Sequence, residues 1–239
     1  MRNKEIREKL AAAYRIFALK DMDDLTYTHL SSRSESGDSF FIQPFGLRFS
    51  EVCASNLLEV SFDGEVIRGD EAQYNSTGYI IHGSLYKKRD DVMSIFHLHT
   101  HAGIAVSSMK EGLLPISQFA LHFYDKVSYH KYNSLSLTQD QGQDLIKDLG
   151  ENYVMFLENH GTVVSGRNIE EAMFYSHHLE QACKVQVMLS SVLGKVLIPS
   201  KEICKKANHD LLSFEQNLGE RDWKALIRQI NSVDDSYLK

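Results

Sequence analysis

Proline, cysteine and long apolar runs are scarce in this chain, and each scarcity excludes something. Three prolines in 239 residues, Pro44, Pro115 and Pro199, with no Gly/Ser-rich stretch between them, give no sign of a flexible linker. Three cysteines, Cys53, Cys183 and Cys204, are odd in number and widely spaced, so they read as reduced thiols and not as a disulfide framework. No apolar run approaches the length of a membrane-crossing helix, so no membrane partner is expected. The first nine residues, MRNKEIREK, carry charge where a signal peptide needs an apolar segment, and the expectation is a cytoplasmic protein. Lys and Arg never cluster into a block, and the formal net charge is -6, which argues against a nucleic-acid partner. There is no internal repeat and no low-complexity segment. One domain over 1–239, with 195–239 as a C-terminal helical extension, is the simplest division.

What is present is an ordinary soluble composition, 43% hydrophobic and 24% charged, long enough to bury a substantial core. Ile6, Leu10, Ala13, Tyr14 and Phe17 recur at helical spacing, which predicts an amphipathic helix over 4–20. A strand is predicted over 39–43, broken at Pro44, and a hairpin over 57–67 around Asp63-Gly64. Ser76 or Thr77 can cap a helix over 78–88. A buried strand at 92–96 leads into His97-Leu98-His99, followed by a helix over 102–109. Thr138 can cap a helix over 139–149 that stops at Gly150. Strands are predicted at 153–157 and 162–164, then a long helix over 169–193 and helical sequence over 203–230 with a break near Gly219. The segment 117–132 fits either strand or helix. Alternating strands and helices, with one hairpin, predict a layered α/β or α+β domain with helices on both faces.

His97-Leu98-His99 carries the strongest chemical signal. Side chains two apart on a strand share a side, so two imidazoles can lean on one metal ion. His160 follows the second buried strand, in Glu158-Asn159-His160-Gly161. Three imidazoles from two strand ends make the ligand count of a catalytic metal site with an open position.

These segments also carry a resemblance. Pro44-Phe45-Gly46-Leu47, Ser76-Thr77-Gly78, the run from His97 through His101-Ala102-Gly103 to Ala105-Val106-Ser107, Gly112-Leu113-Leu114-Pro115-Ile116-Ser117, Tyr129-His130-Lys131-Tyr132 and Glu158-Asn159-His160-Gly161 occur in order between residues 5 and 195. In that order they resemble the class II aldolase/adducin family, on the side of the adducin head domain and its bacterial relatives. The resemblance implies a three-layer α/β/α fold around a mixed, largely antiparallel sheet, and a homotetramer with sites at subunit boundaries. It implies a divalent metal, zinc foremost with iron, manganese or cobalt as alternatives, held by His97, His99 and His160. It further implies a lyase or isomerase acting on a small hydroxy-carbonyl substrate, phosphorylated or not, through a metal-stabilised enediolate. The other reading is a non-catalytic, adducin-head-like oligomerisation or binding module that keeps its metal.

One departure from the family is chemical. Where the aldolases carry a proton-transferring acid after a Ser-Ser pair, this chain has Gly78. Glycine cannot accept a proton, so the proton-transfer candidates become His29 and His101, with His101 alternatively a partly exposed histidine at a helix start. The aldolase phosphate cradle corresponds to Thr28-His29, Phe45-Gly46 and Ser76-Thr77. Gly46, Ser76 and Thr77 are therefore candidate substrate contacts, although Ser76 and Thr77 serve equally as helix caps. Arg33 is either a bidentate carboxylate ligand or a surface arginine. Tyr129, His130 and Tyr132 read as packing near a subunit interface.

Overall fold

The structure is a computed structural model that describes residues 2–70, 76–134 and 138–239. Sixteen helices and strands carry the description below: α1 Arg2–Leu19, β1 His29–Arg33, β2 Ser39–Ile42, β3 Leu58–Ser61, β4 Val66–Arg68, α2 Ser76–Lys88, β5 Ser94–Leu98, α3 His101–Ser107, α4 Gln118–Leu121, β6 Val127–His130, α5 Gln139–Leu149, β7 Val154–Leu157, β8 Gly161–Gly166, α6 Ile169–Met188, α7 Lys201–Ser213 and α8 Glu220–Asn231. The strands form one eight-stranded sheet in the order β4-β3-β2-β1-β5-β8-β7-β6. Every described pairing is antiparallel except β6 with β7.

Alternation along the strands divides the core between two faces. On one face Leu30, Phe41, Phe96 and Leu98 pack against Leu10, Tyr14 and Phe17 of α1, with Trp223 and Ile230 of α8. Val154, Phe156 and Val164 continue that face under Val106 of α3 and Phe174 and Leu179 of α6. On the other face Phe40, Ile42, Ile95, Met155 and Val163 meet Ile80, Ile81 and Leu85 of α2 and Leu145 and Leu149 of α5. The result is the expected α/β/α sandwich. Among the described residues no helix is long and apolar enough to cross a membrane.

Several expectations need adjustment. Residues 117–132 contain both candidates, the short α4 and then β6. The helix from Ile169 ends at Met188, short of Leu193, and gives way to 3-10 turns over Ser190–Lys195. The helical sequence after 200 is two helices, with Gly219 in a left-handed conformation (φ 84°) at the start of α8. β1 was not anticipated. Its sequence, His-Leu-Ser-Ser-Arg, has one apolar residue, yet all five positions are buried. Polar residues on a fully buried central strand do not follow from packing alone.

Candidate metal centre

β1 and β5 lie side by side at the centre of the sheet, with His29 directly opposite His97. His97 shares its face with Ile95, the side covered by α2, and its ring lies 5.0 Å from that of His29, centroid to centroid. His99 falls just beyond the end of β5. His160 is the last residue of the turn joining β7 to β8, where Asn159 adopts a left-handed conformation (φ 57°). Leu98 pairs with Thr162, so the backbones of β5 and β8 run together immediately below the cluster. Gly161 allows this: a Cβ there would sit 2.4 Å from the Leu98 carbonyl oxygen and 3.2 Å from the His99 ring.

The three imidazoles converge through one nitrogen each, all within 4.8 Å of one another. His99 Nε2 is 3.0 Å from His97 Nε2 and 2.9 Å from His160 Nε2. The outer nitrogens decide what occupies the inner ones. His97 Nδ1 lies 3.0 Å from the Thr162 carbonyl oxygen, which can only accept, so His97 carries its proton on Nδ1. His99 Nδ1 lies 3.0 Å from Asp24 Oδ2 and donates to it in the same way. In the neutral form of both rings Nε2 is then left as a lone pair, and the two lone pairs face each other. That arrangement is repulsive unless a cation lies between them, and it is the outer-shell pattern that orients metal-bound histidines. The donor set thus fits a divalent ion held by neutral imidazoles.

Burial acts in the same direction. It holds His97 well below the ordinary histidine range, with the neighbouring His99, His29 and His160 adding to the effect. His160 is pushed down to about 4 by burial and by His99. Burial, and then His99 and His160, push His29 down to about 3.

The sequence candidates distribute unevenly around this centre. His29 is 4% exposed and faces the position of Gly78 on α2: a Cβ on Gly78 would lie 3.5 Å from His29 Nε2 and 3.4 Å from Ile42 Cδ1. His29 Nδ1 is backed by His82 Nε2 at 2.6 Å. Gly46 lies in the exposed turn after β2, where its φ of 99° suits glycine. His101 is exposed at the start of α3 and makes no hydrogen bond or ring contact with the cluster. Ser76 and Thr77 form the first turn of α2, but their side chains lie outside the described residues.

Arg33 is corrected. It sits at the far end of β1, about 13 Å along the strand from His29. Its guanidinium donates to four carbonyl oxygens, those of Val92, Gly37, Tyr86 and Arg89, and stacks on Phe62 and Tyr86. A fork already committed to backbone carbonyls is a structural clamp with no capacity for bidentate carboxylate binding.

Sequence reasoning missed Asp24, Thr162 and His82. Asp24 lies in a run of acids, Asp21-Met22-Asp23-Asp24, that gives no hint of which one turns inward. Thr162 acts through its backbone, which no side-chain pattern reveals. His82 had a faint signal, a histidine following two isoleucines within the apolar part of α2.

A family model described as "Class II Aldolase and Adducin N-terminal domain" matches residues 8–187. The chain belongs to this family. A crystal structure of an aldolase II superfamily protein from Pseudomonas syringae superposes with a TM-score of 0.94 at 38% identity, covering 100% of this chain and 96% of that one. An L-fuculose 1-phosphate aldolase from Glaciozyma antarctica superposes with a TM-score of 0.88 at 27% identity, covering 99% of this chain and 93% of that one. Mouse alpha-adducin is 38% identical over 246 residues, covering 96% of this chain but 33% of the longer protein. The family's three-layer fold and mixed eight-stranded sheet are those found here. The class 2 aldolases of the family characteristically depend on a divalent metal, and the histidine triad of this chain is a donor set for one.

Proposed function

We propose that this protein is a metal-dependent lyase or isomerase of the class II aldolase type, acting on a small hydroxy-carbonyl substrate. The observation that carries the reading is the convergence of three imidazoles through one nitrogen each, two of them held from behind by the Thr162 carbonyl and Asp24. A divalent ion there, zinc first, supplies Lewis-acid chemistry by offsetting negative charge that develops on a substrate oxygen. The chain's own residues do the rest. Asp24 and the Thr162 carbonyl hold the rings of His99 and His97 in place. Gly78 leaves the space beside His29 open, and His29 takes the proton-handling position from which the family acid is missing. His101, exposed at the head of α3, is the second candidate for that role. Gly46, Ser76 and Thr77 are the proposed substrate contacts, by their correspondence to the aldolase phosphate cradle. The same reading carries one domain over 1–239, a homotetramer and a cytoplasmic location.

The test begins with metal. Purified protein should hold about one divalent ion per chain by elemental analysis. Replacing His97 and His99 together by alanine should abolish it, and full occupancy in that double variant would sink the assignment. Because Gly78 cannot move a proton, wild-type protein should cleave simple sugar 1-phosphates poorly; a positioned acid or base typically contributes about 10²–10⁴-fold. Other hydroxy-carbonyl substrates, tested on the metal-replete protein, should be turned over and should lose turnover in His29→Ala. If no substrate is turned over while metal is retained, the adducin-head-like binding module, favoured by the likeness to alpha-adducin, becomes the better account.

A further inference from the structure

Behind His29 lies a set of polar groups that the metal centre does not use. His29 Nδ1 meets His82 Nε2 at 2.6 Å, His82 Nδ1 meets Ser31 Oγ, and Ser31 Oγ meets the Tyr86 hydroxyl at 2.8 Å. Ser31, His82 and Tyr86 are each 0% exposed. The chain runs from the sheet to α2 and back, through two residues of β1 and two of α2.

Counting donors and acceptors gives this chain one direction. Two groups meet the Tyr86 hydroxyl: Ser31 Oγ at 2.8 Å, and the Ile95 backbone N–H, which can only donate. A buried hydroxyl proton without an acceptor costs about 1–3 kcal/mol, so the Tyr86 O–H donates to Ser31. The phenol is also the more acidic of the two hydroxyls. Ser31 then has its own proton to place, and its other partner is His82 Nδ1, which accepts. Burial holds His82 well below the ordinary histidine range, so the ring is neutral and carries its one proton on Nε2. That proton points at His29 Nδ1, which accepts it. The proton of neutral His29 is left on Nε2. This nitrogen has no side-chain hydrogen-bond partner among the described residues, and it borders the space that a side chain at Gly78 would fill.

We propose that Tyr86, Ser31 and His82 form a one-way hydrogen-bond chain that fixes the proton of His29 on Nε2, so that His29 presents a hydrogen-bond donor to a ligand oxygen in the space left by Gly78. The inference rests on the functional reading above and sharpens it. His29 then offers an N–H to that space, and it selects ligands that place a carbonyl, carboxylate or other electron-rich oxygen there. His82, Ser31 and Tyr86 are positioning residues. Gly78 belongs to the same device, because a longer side chain at that position would cover Nε2.

The experiment is two-bond proton–nitrogen correlation NMR on [15N]histidine-labelled protein, with and without zinc, together with binding of acetohydroxamate, a two-oxygen chelator, to the zinc-loaded form. His29 and His82 should both show the Nε2–H pattern. Ser31→Ala should lose that single pattern and weaken acetohydroxamate several-fold while zinc content stays close to wild type, with a lowered thermal midpoint because the Tyr86 hydroxyl and His82 Nδ1 lose their partner. His29→Gln, which keeps an N–H donor, should bind the probe within a few-fold of wild type, and His29→Leu should lose about tenfold. An Nδ1–H pattern on His29 overturns the inference, and so does an unchanged single pattern in Ser31→Ala. Failure of zinc to bind would instead strike the functional reading, and the tautomers read in zinc-free protein would still judge the chain.

Discussion

At the scale of single residues, the candidate metal centre depends on groups outside its three imidazoles. Asp24 is the clearest case. It comes from a segment in which Leu25 and Thr28 both adopt left-handed backbone conformations (φ 50° and 63°), a strained arrangement for a γ-branched and a β-branched residue. The segment brings its carboxylate to His99 Nδ1 at 3.0 Å. An ionised acceptor there fixes the tautomer and makes the opposite nitrogen a better donor. Asp24→Asn keeps the shape, removes the charge and weakens that acceptor. The expected outcome is a loss of zinc affinity of about 10–100-fold, read by competition with a chromophoric chelator, with little change in the circular dichroism spectrum. Affinity equal to wild type would show that Asp24 is only a surface neighbour of His99.

At the scale of elements, the site stands where three of them are tied together. The Tyr14 hydroxyl of α1 donates to the Leu30 carbonyl oxygen of β1 at 2.5 Å, accepts from the Leu30 N–H at 2.8 Å and also meets the Gln43 side chain beyond β2. Gln43 in turn donates to the carbonyl of Thr28, next to His29, at 2.7 Å. Tyr14→Phe keeps the packing against Phe49 but leaves these fully buried polar groups short of a partner. It should cost about 1–3 kcal/mol in denaturant unfolding. An effect near zero would mean that water replaces the hydroxyl. The same region explains what the sequence could and could not reveal. Helices α1 and α5 and strands β5 and β7 were legible because each has a periodic apolar face or a capping residue; Thr138 caps α5 as expected, and the structure adds a reciprocal bond from Gln141. His97, His99 and His160 were legible because strand geometry alone brings i and i+2 together. β1 was not, because its buried polar side chains are satisfied by α2, by Ser94 of β5 and by loop carbonyls, and those partners are set by tertiary pairing. Arg33 was misplaced for the same reason: its acceptors are backbone carbonyls, which no side-chain pattern encodes.

At the scale of the whole molecule, buried neutral histidines make stability depend on pH in a window that carboxylates do not share. Burial pushes His29 to about 3 and His177 to about 4, and holds His82 well below the ordinary range. In the unfolded chain these rings titrate near 6.5. Between those values the unfolded state binds more protons than the folded one, so stability rises with pH across the window. It is fully present above about pH 6.5 and is lost progressively as the pH falls toward 4. Carboxylates held low in the folded state, such as Asp91 beside Arg89, add their own loss only as the pH falls through about 4 and below. Chelator-treated protein should therefore show a thermal midpoint that begins to fall near pH 6.5. Zinc should raise the midpoint most above that pH, because protons compete for the same imidazole nitrogens and zinc stabilises the folded state by mass action. The benefit should shrink steadily on acidification. Thermal melts at pH 7.5, 6.5, 5.5 and 4.5, with and without zinc, make the comparison. A metal-free midpoint that stays level down to pH 5 and drops only near 4 would assign the acid sensitivity to carboxylates, and would mean that the histidines at the centre of the sheet are more accessible to water than their burial implies.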